Sequence, residues 1–211
     1  MKKTNKMIIA LSLSIVLLMG CLIGGTLAWL LDKTNPIKNV FTTSDIDIEL
    51  DETPQDYEMV PGHTIDKDPF VTVKANSEAC YVFVKVEKTA NLDTYIAYAI
   101  DGDWKKLEDG VYYLTADEMT TDQVFNVLGE GSYKDPMGTE DTADDVTVAW
   151  KNDEVGVKPS VTKTMMDDIK QGKVAAPELT FTAYSVQRFE TNGEEFSAAE
   201  AWALAQNNAN Y

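Results

Sequence analysis

The chain has 211 residues, of which 35 are Asp or Glu and 18 are Lys or Arg, so its formal net charge at neutral pH is −17. A surface this acidic repels nucleic acid and anionic lipid, which excludes nucleic-acid-binding proteins as a class. One histidine and two cysteines leave few residues for zinc binding, nucleophilic catalysis or disulfides.

Residues 1–28 have the pattern of a secretory signal peptide. Three lysines precede an apolar run over residues 7–23, and a small-residue exit ends in Thr26-Leu27-Ala28. We expect cleavage between Ala28 and Trp29, secretion of the remainder, and membrane contact only through the leader before cleavage. Loss of the three lysines would change the charge from −17 to −20 and leave Cys80 as the remaining cysteine.

Two alternatives to a cleaved leader stay open. An apolar run of about 17 residues is at the lower limit for spanning a bilayer, so the segment can also act as an uncleaved anchor. Residues 18–21 can instead be interpreted as a lipoprotein box, in which Cys21 would be acylated.

Alternation of apolar and polar residues predicts the strands that follow. The first lies within residues 40–50, the next at 70–73, and the most strongly patterned at 81–86, with Val82, Val84 and Val86 toward the core. Further strands are predicted at residues 94–100, 111–114, 146–150 and 179–186. About seven short strands without alternating helices favour a mainly β fold, an antiparallel β-sandwich with a few short helices.

Helical patterns occur at residues 116–128, 161–171 and 194–206. In the last of these, Phe196, Ala199, Trp202 and Ala203 are expected on one face, which packs on the domain or stays free. The residues at 129–145, rich in Gly, Asp, Glu and Thr, predict a mobile acidic loop.

The chain is therefore expected to hold one globular domain after the leader. We assign residues 29–39 to an N-terminal segment and residues 40–190 to the β domain, which carries an acidic insertion over about residues 116–175. Residues 191–211 form a C-terminal helix and tail.

The motifs of common enzymes are missing. The single histidine, His63, follows a Pro-Gly turn signal, so it is expected to be a solvated loop residue and cannot supply the two histidines of a zinc-peptidase helix. No Gly-x-Ser-x-Gly elbow and no phosphate-binding Gly-rich loop occurs. We predict no catalytic residue, and Cys80 is expected to be a small buried residue of a strand.

No cofactor is predicted. Calcium is the one ion considered, because it prefers oxygen ligands and the acidic side chains can supply them. Solvated surface carboxylates are the competing interpretation of the same residues. The calcium candidates are Asp101, Asp103, Asp141, Asp144 and Asp145.

Three short blocks of sequence resemble the TasA/camelysin family of biofilm-matrix proteins. Gly24-Gly25-Thr26-Leu27-Ala28-Trp29-Leu30-Leu31-Asp32 is similar to the family's Gly-Gly-Thr-x-Ala-x-x-x-Asp signal exit, and Asn39-Val40-Phe41 to the strand start that follows it. Residues 60–69 and 179–187 resemble two later blocks. Ser44 and His63 depart from the family, which usually has Gly and Asp there.

The resemblance implies a jelly-roll β-sandwich that is secreted to the extracellular matrix or surface of a Gram-positive-type bacterium. It implies cleavage by a SipW-like signal peptidase and assembly of the protein with copies of itself into fibres. Before assembly, the apolar N-terminal segment would need to be tucked into a groove of its own chain or held by an accessory assembly protein. Each copy would donate its new N-terminal segment as a β-strand to the next. The residues that correspond to the donor strand are Trp29, Leu30, Leu31, Asn35, Ile37 and Val40.

Two other functions compete with the matrix subunit. A monomeric cell-surface or adhesin-type binding module is suggested by the acidic insertion and by the Trp202 helix. A secreted metallopeptidase is suggested by the label that some relatives carry, although one histidine with carboxylates is not a known peptidase zinc site.

Overall fold

A computed structural model describes residues 45–53 and 58–208. The helices are α1 (Leu92–Tyr95), α2 (Lys163–Lys170) and α3 (Ala198–Asn208). The strands, in chain order, are β1 (Ile48–Asp51), β2 (Thr64–Asp66), β3 (Phe70–Val73), β4 (Cys80–Lys88), β5 (Ile96–Ala97), β6 (Ala99–Ile100), β7 (Lys105–Glu108), β8 (Val111–Ala116), β9 (Gln123–Asn126), β10 (Leu128–Gly129), β11 (Gly131–Asp135), β12 (Val146–Trp150), β13 (Glu154–Val157) and β14 (Leu179–Gln187).

Strand β4 lies inside the main sheet, whose strand order is β14-β4-β8-β7 and whose pairs are all antiparallel. Along its nine residues β4 pairs with the whole of β14, from Cys80 opposite Gln187 to Lys88 opposite Leu179. The run of Val, Phe and Tyr in β4 suits a strand that is buried on both faces.

A second antiparallel sheet, β1-β3-β9, packs against the valine face of β4. Its core side chains alternate along the strand, so that Ile46, Ile48 and Leu50 are buried while the acids between them are exposed. The prediction that Val82, Val84 and Val86 face the core is confirmed, since all three belong to this buried cluster. Cys80 lies in the same cluster and is fully buried, as expected.

A third group of short elements extends the molecule beyond these two sheets. Strands β2, β13 and β5 form one small sheet, β6 pairs with β10, and β11 pairs with β12 as a hairpin. Their apolar side chains form a cluster with α1 and with the N-terminal side of α2. The members of that cluster are Leu92, Tyr95, Ile96, Leu128, Val155, Val157 and Val161.

Helix α3 covers the face of the main sheet that is opposite the valines. Ser197 and Glu200 form a reciprocal capping box at its N-terminus, because Ser197 N donates to Glu200 Oε2 (2.9 Å) and Glu200 N donates to Ser197 Oγ (3.3 Å). The ring of Trp202 lies 5.2 Å from that of Phe83, centroid to centroid. The C-terminal helix therefore packs on the domain.

The predicted face of this helix was partly wrong. Trp202 is buried as expected, but Ala199 and Ala203 are exposed, and the residues that pack on the sheet are Ala201 and Ala205. The i, i+3, i+4 and i+7 spacing that starts at residue 198 gives the correct stripe.

The helix predicted over residues 116–128 is also wrong. Residue 116 ends β8, and β9 and β10 follow, with β9 added to the edge of β3. A short run of apolar residues is compatible both with the 3.6-residue repeat of a helix and with the two-residue repeat of a strand. Here the pairing with a distant strand decides the structure. The predicted loop at 129–145 holds β11, and the predicted strand at 94–100 begins as the last turn of α1.

The fold is thus mainly β and antiparallel, as the alternation predicted. The described residues all belong to one compact unit. Among them, no helix has the length and apolar character needed to cross a membrane.

Candidate functional site

The residues predicted to take part in processing and assembly lie outside the described part of the chain. They are Ala28, Trp29, Leu30, Leu31, Asn35, Ile37 and Val40. What the structure does describe is the sheet that such a donated strand would have to join.

The two edges of the main sheet differ in their chemistry. Strand β7 has the sequence Lys-Lys-Leu-Glu, with three charged residues in four. Strand β14, at the other edge, runs for nine residues without a charged residue or a proline. Within residues 45–53 and 58–208, β14 pairs with β4 alone, and natural sheets usually protect such an edge with charges, prolines or bulges.

Strand β14 is also held rigidly by packing on its two faces. Ala183 lies in the cluster between the two large sheets, and Val186 lies in the cluster under α3. Cα atoms of β1 and β14 come within 8 Å of each other, so the two sheets approach at this side of the molecule. The unpaired side of β14 is therefore flanked by β1 and by Lys67, whose Nζ lies 5.7 Å from the ring centroid of Phe181.

The predicted calcium ligands are not brought together. Asp101 Oδ1 accepts a hydrogen bond from Asp103 N (2.9 Å), and Asp141 Oδ1 accepts one from Ala143 N (3.0 Å). Asp144 accepts the hydroxyl of Thr139, and Asp145 forms an ion pair of 2.7 Å with Lys134. In the described part of the chain, no three His, Cys, Asp or Glu side chains are grouped so that they could hold a metal ion.

His63 lies in an exposed turn, as the Pro-Gly signal indicated. His63 N donates to Val60 O (3.0 Å), and Gly62 has φ of 75°, the left-handed conformation that glycine adopts without strain. The ring Nδ1 lies 3.1 Å from Pro61 O. The turn is fixed to β13, because Val157 N donates to His63 O (2.9 Å).

An open cleft of about 540 Å³ lies where β4, β8 and the small strands meet. Two lysines stand at one wall, and aromatic rings make up much of the lining. The residues that give the cleft its character are Lys88, Tyr98, Tyr112, Tyr133, Trp150 and Lys158.

Trp150 forms part of the base of the cleft and is held tightly. Its Nε1 donates to Gly129 O (3.2 Å), and only 6% of the residue is exposed. A Cβ placed on Gly131 would lie 2.6 Å from the indole, and one on Gly156 would lie 2.8 Å from it. Glycine at both positions leaves the space that the ring fills.

The lysine wall is organised around Asp93. Lys88 Nζ donates to Asp93 Oδ2 (2.6 Å), and this hydrogen bond raises the pKa of Lys88. Lys158 Nζ donates to the main-chain oxygen of Asp93 and lies 4.1 Å from the ring centroid of Tyr133. Burial raises the pKa of Tyr98, while the nearby ammonium group of Lys88 acts in the opposite direction.

Sequence reasoning missed this cleft. Its residues come from segments between Lys88 and Lys158, and no spacing along the chain shows that they meet. The one local sign is the alternation of small and large residues in Ala97-Tyr98-Ala99, where alanines leave room beside a tyrosine.

No protein-family model matches the chain, and no match is found among curated proteins or solved structures.

Proposed function

We propose that this protein is a secreted structural subunit of a bacterial extracellular matrix and that it assembles by exchange of its N-terminal segment. In this proposal the two packed sheets form a jelly-roll sandwich, as in the TasA/camelysin family that the sequence resembles. The protein is a building element and not an enzyme. The observation that carries the proposal is strand β14, which has no charged residue and no proline and which, among the described residues, pairs with β4 alone.

The edge supports the proposal through the contrast with β7. One sheet carries both edges, yet only β7 has the charges that discourage pairing with another chain. A strand added to β14 would form main-chain hydrogen bonds along nine residues, which is the usual source of affinity in strand addition.

The proposed donor is the segment at residues 29–39, which precedes β1 in the chain. Trp29, Leu30 and Leu31 would be apolar side chains at the start of a strongly acidic protein. Burial contributes about 1.5–3 kcal/mol for each large apolar side chain, so shelter in a neighbouring copy would favour association. Processing after Ala28 would create this end, which makes a signal peptidase of the SipW type a necessary partner.

The first experiment compares protein that starts at Trp29 with protein that starts at Asn39, using electron microscopy and a sedimentation assay. The longer form is expected to make filaments, and the shorter form is expected to stay monomeric. Equal assembly of both forms would show that the N-terminal segment is not needed for assembly, and the donor-strand proposal would be wrong. N-terminal sequencing of the secreted protein tests whether Trp29 is its first residue.

The second experiment tests the acceptor edge itself. Thr180→Lys adds a charge to β14 opposite Glu87, so it introduces no like-charge pair within the sheet. We expect slower filament growth with an unchanged melting temperature. Thr164→Lys, at an exposed position of α2, is the matched control and should assemble normally. Normal growth of the Thr180 variant would place the acceptor at another edge.

A further inference from the structure

The aromatic cleft contains hydrogen-bonding groups that the protein leaves unused. Among the described residues, no group forms a hydrogen bond with the side-chain hydroxyl of Tyr98, Tyr112 or Tyr133. All three residues are half-buried and line the same cleft. A tyrosine hydroxyl in a half-buried position usually has a partner, so the three hydroxyls can serve a ligand.

The charge of the cleft differs from that of the whole chain. Although the protein carries a net charge of −17, the cleft places the ammonium groups of Lys88 and Lys158 on one wall. Lys158 contacts the Tyr133 ring and the Asp93 carbonyl, and its charge also acts on the nearby carboxylate of Asp135, although no carboxylate of the described residues lies within ion-pair distance of Lys158. A negative ligand group that reached Lys158 would form a direct ion pair that the described carboxylates do not form.

Lys88 can also turn to a ligand. Among the described residues its ion-pair partner is Asp93, whose side chain is 63% exposed, and exposed ion pairs contribute little to stability. A ligand carboxylate placed between Lys88 and Lys158 would compete with Asp93 on nearly equal terms.

The shape of the cleft favours an extended ligand. It is open to solvent, whereas sites for small molecules usually enclose most of the ligand. Tyrosines offer an apolar ring and a polar tip together, a combination that suits a sugar ring with its C–H faces and hydroxyls. An acidic peptide would use the lysines but has less need of three phenol groups.

We propose that this cleft binds an acidic polysaccharide, with the hydroxyls of Tyr98 and Tyr112 contacting sugar units and with Lys158 and Lys88 binding a uronate carboxylate. The lining of the cleft includes no residue of β14, although Lys88 pairs with Leu179 at the start of that strand, so fibres built on the outer edge of β14 could display the cleft along their length. A matrix subunit with such a site would link protein and polysaccharide in one material.

The test measures binding of the full chain to three polymers by calorimetry. The probes are polygalacturonate, which is acidic, dextran, which is neutral, and polyglutamate, which is an acidic peptide. We expect polygalacturonate to bind most tightly, with affinity that falls as salt is added. Equal binding of dextran, tighter binding of polyglutamate, or no binding of polygalacturonate would each overturn the proposal.

Substitutions of cleft residues then test whether the polymer binds in the cleft. Tyr98→Phe and Tyr112→Phe each remove one hydroxyl and should weaken binding about three- to tenfold, with no change in melting temperature, because neither hydroxyl has a hydrogen-bond partner in the described part of the chain. Lys158→Gln should weaken binding and reduce its salt dependence. Should a tyrosine variant fold poorly, the lysine variant still decides the question.

Matched controls remove the same groups elsewhere. Tyr184→Phe acts on the face covered by α3, and Lys105→Gln acts on the exposed edge strand β7. Both should bind polygalacturonate like the parent protein. A loss of affinity in the controls as large as that in the cleft variants would show that the polymer binds by general surface charge, and the proposal would be wrong.

Discussion

The indole Nε1 of Trp202 donates a hydrogen bond of 2.8 Å to Glu108 Oε1, which ties the C-terminal helix to edge strand β7. The same indole lies against Phe83 of the central strand and edge-on to Tyr184 of β14. One side chain thus connects α3 with three of the four strands in the main sheet.

Trp202→Ala is expected to destabilise the protein by about 3–5 kcal/mol, because it leaves a cavity above Phe83 and removes the bond to Glu108. Urea unfolding measures the change. Leu204→Ala, on the exposed side of the same helix, should cost less than about 1 kcal/mol. Similar losses for the two variants would mean that α3 contributes little to the fold.

Gly131→Ala is expected to destabilise the protein by about 1–3 kcal/mol, since its new methyl group would lie 2.6 Å from the indole of Trp150. Gly102→Ala is the control, because a Cβ there meets no atom within 4 Å. Thermal unfolding of both variants gives the comparison. An unchanged melting temperature for Gly131→Ala would show that the Trp150 ring can move aside freely.

Asp135 joins β11 to the loop before α2, and it should make the protein sensitive to acid. Burial by itself would raise the pKa of Asp135, but hydrogen bonds from Ser160 and from Met137 N outweigh it, and the pKa falls below its ordinary value of 3.8. A lowered pKa stabilises the fold above about pH 4, and this contribution is lost as pH falls through the lower folded-state value.

Asp135→Asn should therefore be less stable at neutral pH, by about 1–3 kcal/mol, because the amide turns a donor toward the Ser160 groups. Its stability should also change less than that of the parent between pH 5 and pH 2. Urea unfolding across this range tests both statements. Asp103→Asn, in an exposed turn, serves as the control, and parallel pH curves for parent and Asp135 variant would contradict the prediction.

Cys80 is expected to be unreactive in the folded protein. Its residue is fully buried, and burial raises the pKa of the thiol to about 12, so almost no thiolate exists near pH 8. A thiol reagent added to protein that starts at Trp29 should react at the rate of unfolding, and it should react at once in denaturant. Rapid labelling of native protein would show that the core around Cys80 opens easily.

The sequence predicted best those elements whose pattern reflects burial directly. The strands at 70–73 and 146–150 have the predicted bounds, and the valine face of β4 is in the core. Tyr81 and Phe83 on the other face were not recognised as core, because their burial depends on α3 from the far end of the chain. Local alternation cannot show which face a distant helix will cover.

The errors have a common cause in long-range pairing. Val124 and Phe125 belong to β9 because β3 offers an edge to them, although their spacing with Val127 and Leu128 also fits a helix. The cleft was missed for the same reason, because it forms where β4 and β8 meet the short strands β5, β6, β11 and β12, which lie apart in the sequence. The predicted donor strand and its processing site lie outside the described residues and stay predictions.

The pairing of β4 with β14 has a consequence for the order in which the molecule can form. Cys80 pairs with Gln187 and Lys88 pairs with Leu179, so β4 cannot form these backbone hydrogen bonds until residues 179–187 are available. A polypeptide that emerges with its N-terminus first would leave Tyr81 and Phe83 uncovered until β14 and α3 have followed, whereas the valine face can already pack on β1, β3 and β9. The main sheet can therefore be completed only after β14 has been synthesised, and a chain that stops before that point would expose apolar residues of β4 and be prone to aggregate.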